Sequence, residues 1–262
     1  MTQYIDIGAN LTNKSLMRDL DAVIQRALDA GVEHIVVTGS QFEESEKAIQ
    51  LCAQYPEYLV CTAGVHPHHA SDWQASSENS LRELATHACV RAIGETGLDF
   101  NRNFSPRDVQ LEVFHHQLEI AASLEKPVFM HQRDAHDAFV SILREHRDRL
   151  TKVVVHCFTD SPSALRDYLE LDCHIGVTGW ICDERRGLEL QQLVKLIPEN
   201  RLMVETDAPY LLPRDLPKKP ANRVNEPAYL PHILHSIAHH QNKAADELAS
   251  ECLNTSRQFF DL

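Results

Sequence analysis

Glu95, His131, His156 and Asp207 each stand where a short apolar run gives out. Val90-Arg91-Ala92-Ile93 leads through Gly94 to Glu95, Val128-Phe129-Met130 to His131, Val153-Val154-Val155 to His156, and Leu202-Met203-Val204 through Glu205-Thr206 to Asp207. Short apolar runs bounded by Gly or Pro read as buried strands. Glycine close on both sides of Glu95 predicts that its strand stops there in a tight turn, with backbone able to approach a ligand closely. Two imidazoles and two carboxylates at strand ends fit a divalent cation with positions left open for water and substrate. His66, in Gly64-Val65-His66-Pro67-His68, ends a further strand and is a candidate substrate contact or outer-shell ligand, although His66, His68 and His69 together read equally well as an exposed loop.

The elements that must hold these groups alternate. Strands are expected over residues 3–7, 34–38, 59–63, from 90, 127–130, 152–155, 173–177 and 202–206. Between them, apolar residues at helical spacing predict helices over 16–30, from 42, 77–86, 105–124, 134–146, 162–171 and 184–197, with two more near 231–240 and 243–260. Pro162 after Ser161 is a helix start of the usual kind. Eight strands alternating with helices predict a parallel α/β fold, and the number eight favours a closed (β/α)8 barrel, whose active sites form at the strand C-terminal ends. No repeat or linker interrupts residues 1–262, so one domain is expected. Residues 209–231 hold six of the twelve prolines and form a loop too long for a routine connection. On the first strand, alternation puts Asp6, Gly8 and Asn10 on one face and Ile5 and Ile7 on the other. Gly8 has no side chain to offer and Asn10 only a neutral oxygen, so a single tightly held ion is expected.

Composition is that of a water-soluble globular chain, 43% apolar and 24% charged. No basic leader or membrane-length apolar run is present, so the expected setting is the cytoplasm, without membrane contact and as a monomer. The seven cysteines are scattered without a CxxC pair, which predicts reduced and mostly buried thiols rather than a disulfide frame or a thiolate metal site. Cys157, beside His156, reads as a packed thiol. A net charge of −13 argues against a nonspecific polyanion binder. Local charge differs. Arg102 and Arg133 follow the strands of Glu95 and His131, Arg185 and Arg186 follow the seventh strand, and the proline-rich loop is locally +2. Arg133, Arg185 and Arg186 are candidate phosphate contacts. Trp180, Phe100 and Tyr210 are candidates for stacking on bases or for the core.

Phosphodiester hydrolysis suits the set. A cation polarises a phosphoryl oxygen and acidifies a water, and Asp207 is placed to take the water's proton as general base. An amidohydrolase, a deacylase acting on aminoacyl-tRNA, and a noncatalytic nucleic-acid-binding scaffold are the alternatives the residues leave open.

Asp6-Ile7-Gly8-Ala9-Asn10-Leu11-Thr12, Gly64-Val65-His66-Pro67-His68, Gly94-Glu95-Thr96-Gly97-Leu98-Asp99, His131-Gln132-Arg133, His156-Cys157-Phe158 and Glu205-Thr206-Asp207-Ala208-Pro209-Tyr210 together resemble the TatD family of metal-dependent nucleases. The resemblance runs from about Ile5 to the C-terminus. Many relatives read DxHxHL at strand one, whereas this chain is similar to the TatD subgroup, which reads DIGxNLT. The resemblance implies a cytoplasmic 3′-5′ exonuclease on single-stranded DNA and RNA working with Mg²⁺, and a place in DNA repair. It also implies that Glu95, His131 and His156 are metal ligands, with Asp207 a ligand or general base. The ligand types pull the other way on the metal, since nitrogen donors suit Zn²⁺ or Mn²⁺ and Mg²⁺ prefers oxygen.

Overall fold

The computed structural model describes residues 2–262. Eight strands among them lie parallel in chain order: β1 (Tyr4–Ala9), β2 (Val32–Val37), β3 (Leu59–Ala63), β4 (Val90–Asp99), β5 (Val128–Arg133), β6 (Val153–Val155), β7 (His174–Val177) and β8 (Leu202–Val204). The helices between them are α1 (Lys14–Met17), α2 (Leu20–Asp29), α3 (Phe42–Gln54), α4 (Ser77–Leu84), α5 (Arg107–Ser123), α6 (His136–His146), α7 (Pro162–Glu170) and α8 (Leu188–Leu193), and α9 (Leu230–Gln241) and α10 (Ala245–Phe260) follow. The expected (β/α)8 order is met. Apolar strands such as Val128-Phe129-Met130 are buried on both faces, as parallel strands flanked by helices must be. No helix of the described residues is long and apolar enough to cross a membrane.

The chain divides into two compact units. One holds residues 1–37, 157–162 and 175–262. Here β1 pairs with β2, setting Asp6 opposite Ile35, and β7 pairs with β8, setting Val177 opposite Val204. Beyond β8 the chain returns to β1, where Ala208 bridges Ala9 and Asp207 N–H donates to Gly8 O at 2.8 Å. Helix α2 buries the stripe Leu20, Val23, Ile24 and Ala27. The other unit holds residues 38–156 and 163–174, with β3 to β6 paired in sequence and Phe114 stacked on Phe139 between α5 and α6.

Three expectations about elements need correction. Strand β4 does not stop at Glu95; it continues to Asp99. Its glycines serve close packing instead of a turn. Gly94 and Gly97 have φ of 143° and 141°, and a Cβ on either would fall 2.2 Å from Phe129 O or 1.9 Å from His131 O of β5. The helix expected over 16–30 is two helices broken at Asp19, whose φ of −147° is not helical; aspartate is a poor residue for a helix interior. The helix expected over 184–197 shrinks to α8. Asp183 captures the N–H groups of Arg185 and Arg186, and Gly187 packs where a Cβ would lie 2.4 Å from Trp180 O, so residues 183–187 form a turn.

Candidate active site

Glu95 lies in β4 among imidazoles delivered by three neighbouring elements of one unit. His156 Nε2, just past β6, is 2.7 Å from Glu95 Oε1. His131 Nδ1, on β5, is 3.1 Å from the same oxygen, and His66 Nε2, past β3, is 3.4 Å away. Four residues on from Glu95, and on the same face of β4 by the two-residue period, Asp99 accepts from His68 Nε2 at 2.6 Å and lies 3.6 Å from His131 Nε2. Asp99 also accepts the backbone N–H groups of Asn101 and Arg102, at 3.0 and 2.8 Å. The buried Gln110 side chain of α5 ties down the backbone N–H of Asp99. Asp99 and His68 are therefore part of the cluster, and sequence reasoning did not assign them. The stretch 66–69 is no open loop: His66 is buried, His68 half-buried, and the two rings meet edge to face with centroids 4.2 Å apart.

Burial works against ionising Glu95, but the imidazoles of His66, His156 and His131 outweigh it and hold the carboxyl well below its ordinary range. Asp99 is likewise held low against burial, by His131, His68 and the Arg102 N–H. Burial lowers His131, yet the flanking Asp99 and Glu95 more than compensate, and its pKa is raised. His66 differs: burial drives it down to about 4 despite Glu95, so the ring is neutral at neutral pH. His66 Nδ1 accepts the His68 N–H at 3.1 Å, which puts the proton of the neutral ring on Nε2.

The fit of a cation can be tested on these atoms. His66, Glu95 and His131 present donor atoms within 4.8 Å of one another. His131 Nε2 is buried with no hydrogen-bond partner among the described residues. Two carboxylates that stay ionised while buried, with an imidazole drawn toward positive charge between them, make a pocket suited to a cation. Glu95 Oε1 with the imidazoles of His66, His131 and His156 around it is a donor set of the kind that suits a divalent metal, once the ring protons directed at the carboxylate are released.

Asp207 belongs to the other unit. Asn10 Nδ2 donates to its Oδ1 at 3.0 Å, and its φ of 53° follows from the sharp turn after β8. The face expected of β1 is present: Asp6 is fully buried, accepting from Gly8 N–H and Thr206 N–H, with Thr206 Oγ1 2.5 Å from its second oxygen. Cys157 is held through its N–H by Glu205 and through its sulfur by Thr178 at 3.7 Å, in keeping with a packed thiol.

The arginines are more committed than charge counting implied. Arg186 stacks 4.4 Å over the Trp180 ring and bonds Asp183 at 3.0 Å, and Arg214 bonds Glu184. Arg185 is more loosely held, 3.6 Å from Asp183 and 3.9 Å from Glu184. Trp180 is thus covered by Arg186, and Phe100 by Arg107 at 4.5 Å, whereas Tyr210 is exposed. An exposed aromatic ring beside the cluster is Phe104, 67% exposed and set edge-on to His68 with centroids 4.7 Å apart. Arg133 ends β5 opposite Asp99, two residues from His131.

With parallel strands in barrel order and an imidazole–carboxylate cluster at the ends of β3 to β6, the chain stands among the (β/α)8 barrel hydrolases. It superposes on a TatD family hydrolase from Entamoeba histolytica with a TM-score of 0.91 at 28% identity, covering 99% of this chain and 98% of the other. On YJJV, a TatD homolog from Escherichia coli, the TM-score is 0.90 at 27% identity, covering 100% and 99%. The family model described as TatD related DNase matches residues 5–261, and the chain belongs to that family. It is 49% identical over 257 residues to the 3′-5′ ssDNA/RNA exonuclease TatD of Pantoea sp. (strain At-9b), covering 98% of this chain and 99% of the relative. It is 51% identical over 245 residues to the protein of the same name in Escherichia coli (strain K12), covering 94% of each.

Proposed function

We propose that this protein is a metal-dependent 3′-5′ exonuclease acting on single-stranded DNA and RNA. The observation that carries the proposal is Glu95 Oε1 with three imidazole nitrogens within 3.4 Å, beside a buried His131 nitrogen with no hydrogen-bond partner among the described residues. The names of the relatives supply the substrate and the polarity.

Glu95, His131 and His156 would hold the cation, and Asp99, facing the far side of the His131 ring, orients that ligand as an outer carboxylate commonly does. When bound, the cation polarises a phosphoryl oxygen and acidifies a water. Asp207, steadied by Asn10, serves as a further ligand or as the base that takes the water's proton. His66, neutral and protonated on Nε2, donates a hydrogen bond to a phosphate oxygen. Arg133 positions the phosphate backbone, and the more loosely held Arg185 reaches it more readily than Arg186. Phe104 offers an exposed face on which a base can stack.

Mg²⁺ is the working ion of this proposal, with Mn²⁺ and Zn²⁺ favoured by the nitrogen donors. One family model spanning residues 5–261 supports a single catalytic domain, which we take to work as a monomer. Seven free cysteines suit the reducing cytoplasm. The substrate class is compatible with a place in DNA repair, which we include in the proposal.

The test is digestion of end-labelled single strands with Mg²⁺, Mn²⁺, Zn²⁺ or EDTA. Stepwise shortening from the 3′ end, abolished by EDTA, is the expected result. Turnover of an ester or amide without phosphodiester cleavage would overturn the proposal.

A further inference from the structure

Three of the seven cysteines, far apart in sequence, meet in space. Cys52 on α3, Cys61 on β3 and Cys89 just before β4 place their sulfurs within 4.8 Å of one another. Two of them are locked by backbone, since Cys61 N–H donates to Cys89 O at 2.8 Å and Cys61 is in register with Val90. The third comes from the helix that packs on β3. Cys52 and Cys61 are buried, while Cys89 is half-exposed and leaves a way in. Metal–sulfur bonds of about 2.3 Å put the sulfurs of a trigonal thiolate site roughly 4 Å apart, which the 4.8 Å limit on the spacing here accommodates.

We propose that Cys52, Cys61 and Cys89 bind a thiophilic metal ion of the zinc and cadmium class, at a site separate from the candidate active site. Cys61 precedes His66 by five residues and Cys89 precedes Glu95 by six, which along extended chain is on the order of 16–20 Å. The thiols donate to one another, and hydrogen bonds from Cys52 and Cys61 to the Cys89 sulfur hold that thiol well below its ordinary pKa. Lys126, with Nζ 2.6 Å from Val90 O, is a positive group near enough to interact with Cys61 and Cys89. Uptake of a dication forms three metal–sulfur bonds to three thiolates and releases the protons that the thiols carried. The net charge of −1 left behind is matched by Lys126. The lack of any CxxC spacing is what hides this cluster in the sequence.

The experiment is a Cd²⁺ titration of the reduced protein carrying Glu95→Gln, so that the candidate active site does not compete, followed by ultraviolet sulfur-to-cadmium charge transfer and equilibrium dialysis. One equivalent should produce the band and raise the melting temperature. Zn²⁺, which gives no such band, should raise the melting temperature in the same way. Cys89→Ser should weaken Cd²⁺ binding by at least about 10-fold, and Cys52→Ala should do the same, giving a second reading if either variant folds poorly. Cys182→Ser should leave the band intact, which distinguishes the site from the grouping of Cys182, Asp215 and His232. No band at one equivalent, a band that survives both triad variants, or one that vanishes with Cys182→Ser would overturn the proposal. None of these results depends on nuclease activity.

Discussion

Glu95 takes hydrogen bonds from two imidazoles and stays ionised while buried, so its charge is the feature that a cation would exploit. Glu95→Gln keeps the shape and the accepting oxygen while removing that charge. Metal-dependent activity should fall by at least about 100-fold, since even partners outside the ligand shell are worth 10- to 100-fold in affinity. In chelator the melting temperature should barely move, because the carbonyl oxygen of glutamine still accepts from His156. Activity that survives in the variant would remove Glu95 from the ligand set. At this scale the sequence was informative for Glu95, His131 and His156, because each ends an apolar run and the structure gathers all three. Asp99 was legible too, had the period of two been carried past Gly97, since Glu95 and Asp99 share a face. The role of His68 was not legible. It depends on a loop that folds its ring back against His66 and Asp99, and spacing alone does not encode that.

Strand β4 is the element on which the cluster depends, and its two glycines decide how closely β5 can approach. Gly97→Ala would drive a Cβ into His131 O while holding alanine at a φ of 141°. Backbone strain and overpacking together should cost at least about 3 kcal/mol in chemical denaturation. His131 should be displaced with it, so activity should fall further than stability explains; a variant as stable as the parent would refute the packing account. The same glycines made the strand look as though it ended at Glu95, because a residue chosen for close approach reads in sequence like one chosen for a turn. The junction of β1 with the segment after β8 carries a second test. Burial raises the Asp6 carboxyl to about 7, with Thr206 and Gly8 resisting. The folded protein therefore binds a proton that the unfolded chain has shed above its ordinary pKa near 4. That contribution to stability is fully present below about pH 4 and is lost as pH rises through 7, at up to roughly 1.4 kcal/mol per pH unit. Asp6→Asn mimics the protonated acid and should escape the loss. Its stability relative to the parent should thus rise from pH 5 to pH 8 in denaturant titrations, and parallel curves would show that Asp6 is ionised throughout.

A chain of net charge −13 repels a polyanion at a distance, so any nucleic acid it binds must be held by local cations. Beside the Glu95 cluster those are Arg102 and Arg133, following β4 and ending β5, with Arg107 laid over Phe100. Counting charges in the sequence found the first two, but it gave Arg186 the same weight as Arg133 and counted the +2 loop that holds Arg214. The structure commits those two to Asp183 and Glu184, an arrangement that depends on how the turn at residues 183–187 folds. For a single strand, each phosphate neutralised contributes a slope of roughly −0.7 in log K against log salt. Arg102→Ala combined with Arg133→Ala should therefore make the slope shallower by about 1.4 and weaken binding of every sequence alike. Arg186→Ala should leave the slope nearly unchanged and act on stability instead, by uncovering Trp180 and leaving Asp183 short of a partner. Binding is best followed by fluorescence anisotropy in EDTA, so that cleavage does not intervene, on homopolymeric and mixed strands across a salt series. An unchanged slope in the Arg102, Arg133 double variant would mean that the polyanion is held elsewhere, and a shallower slope for Arg186→Ala would return that arginine to the phosphate contacts.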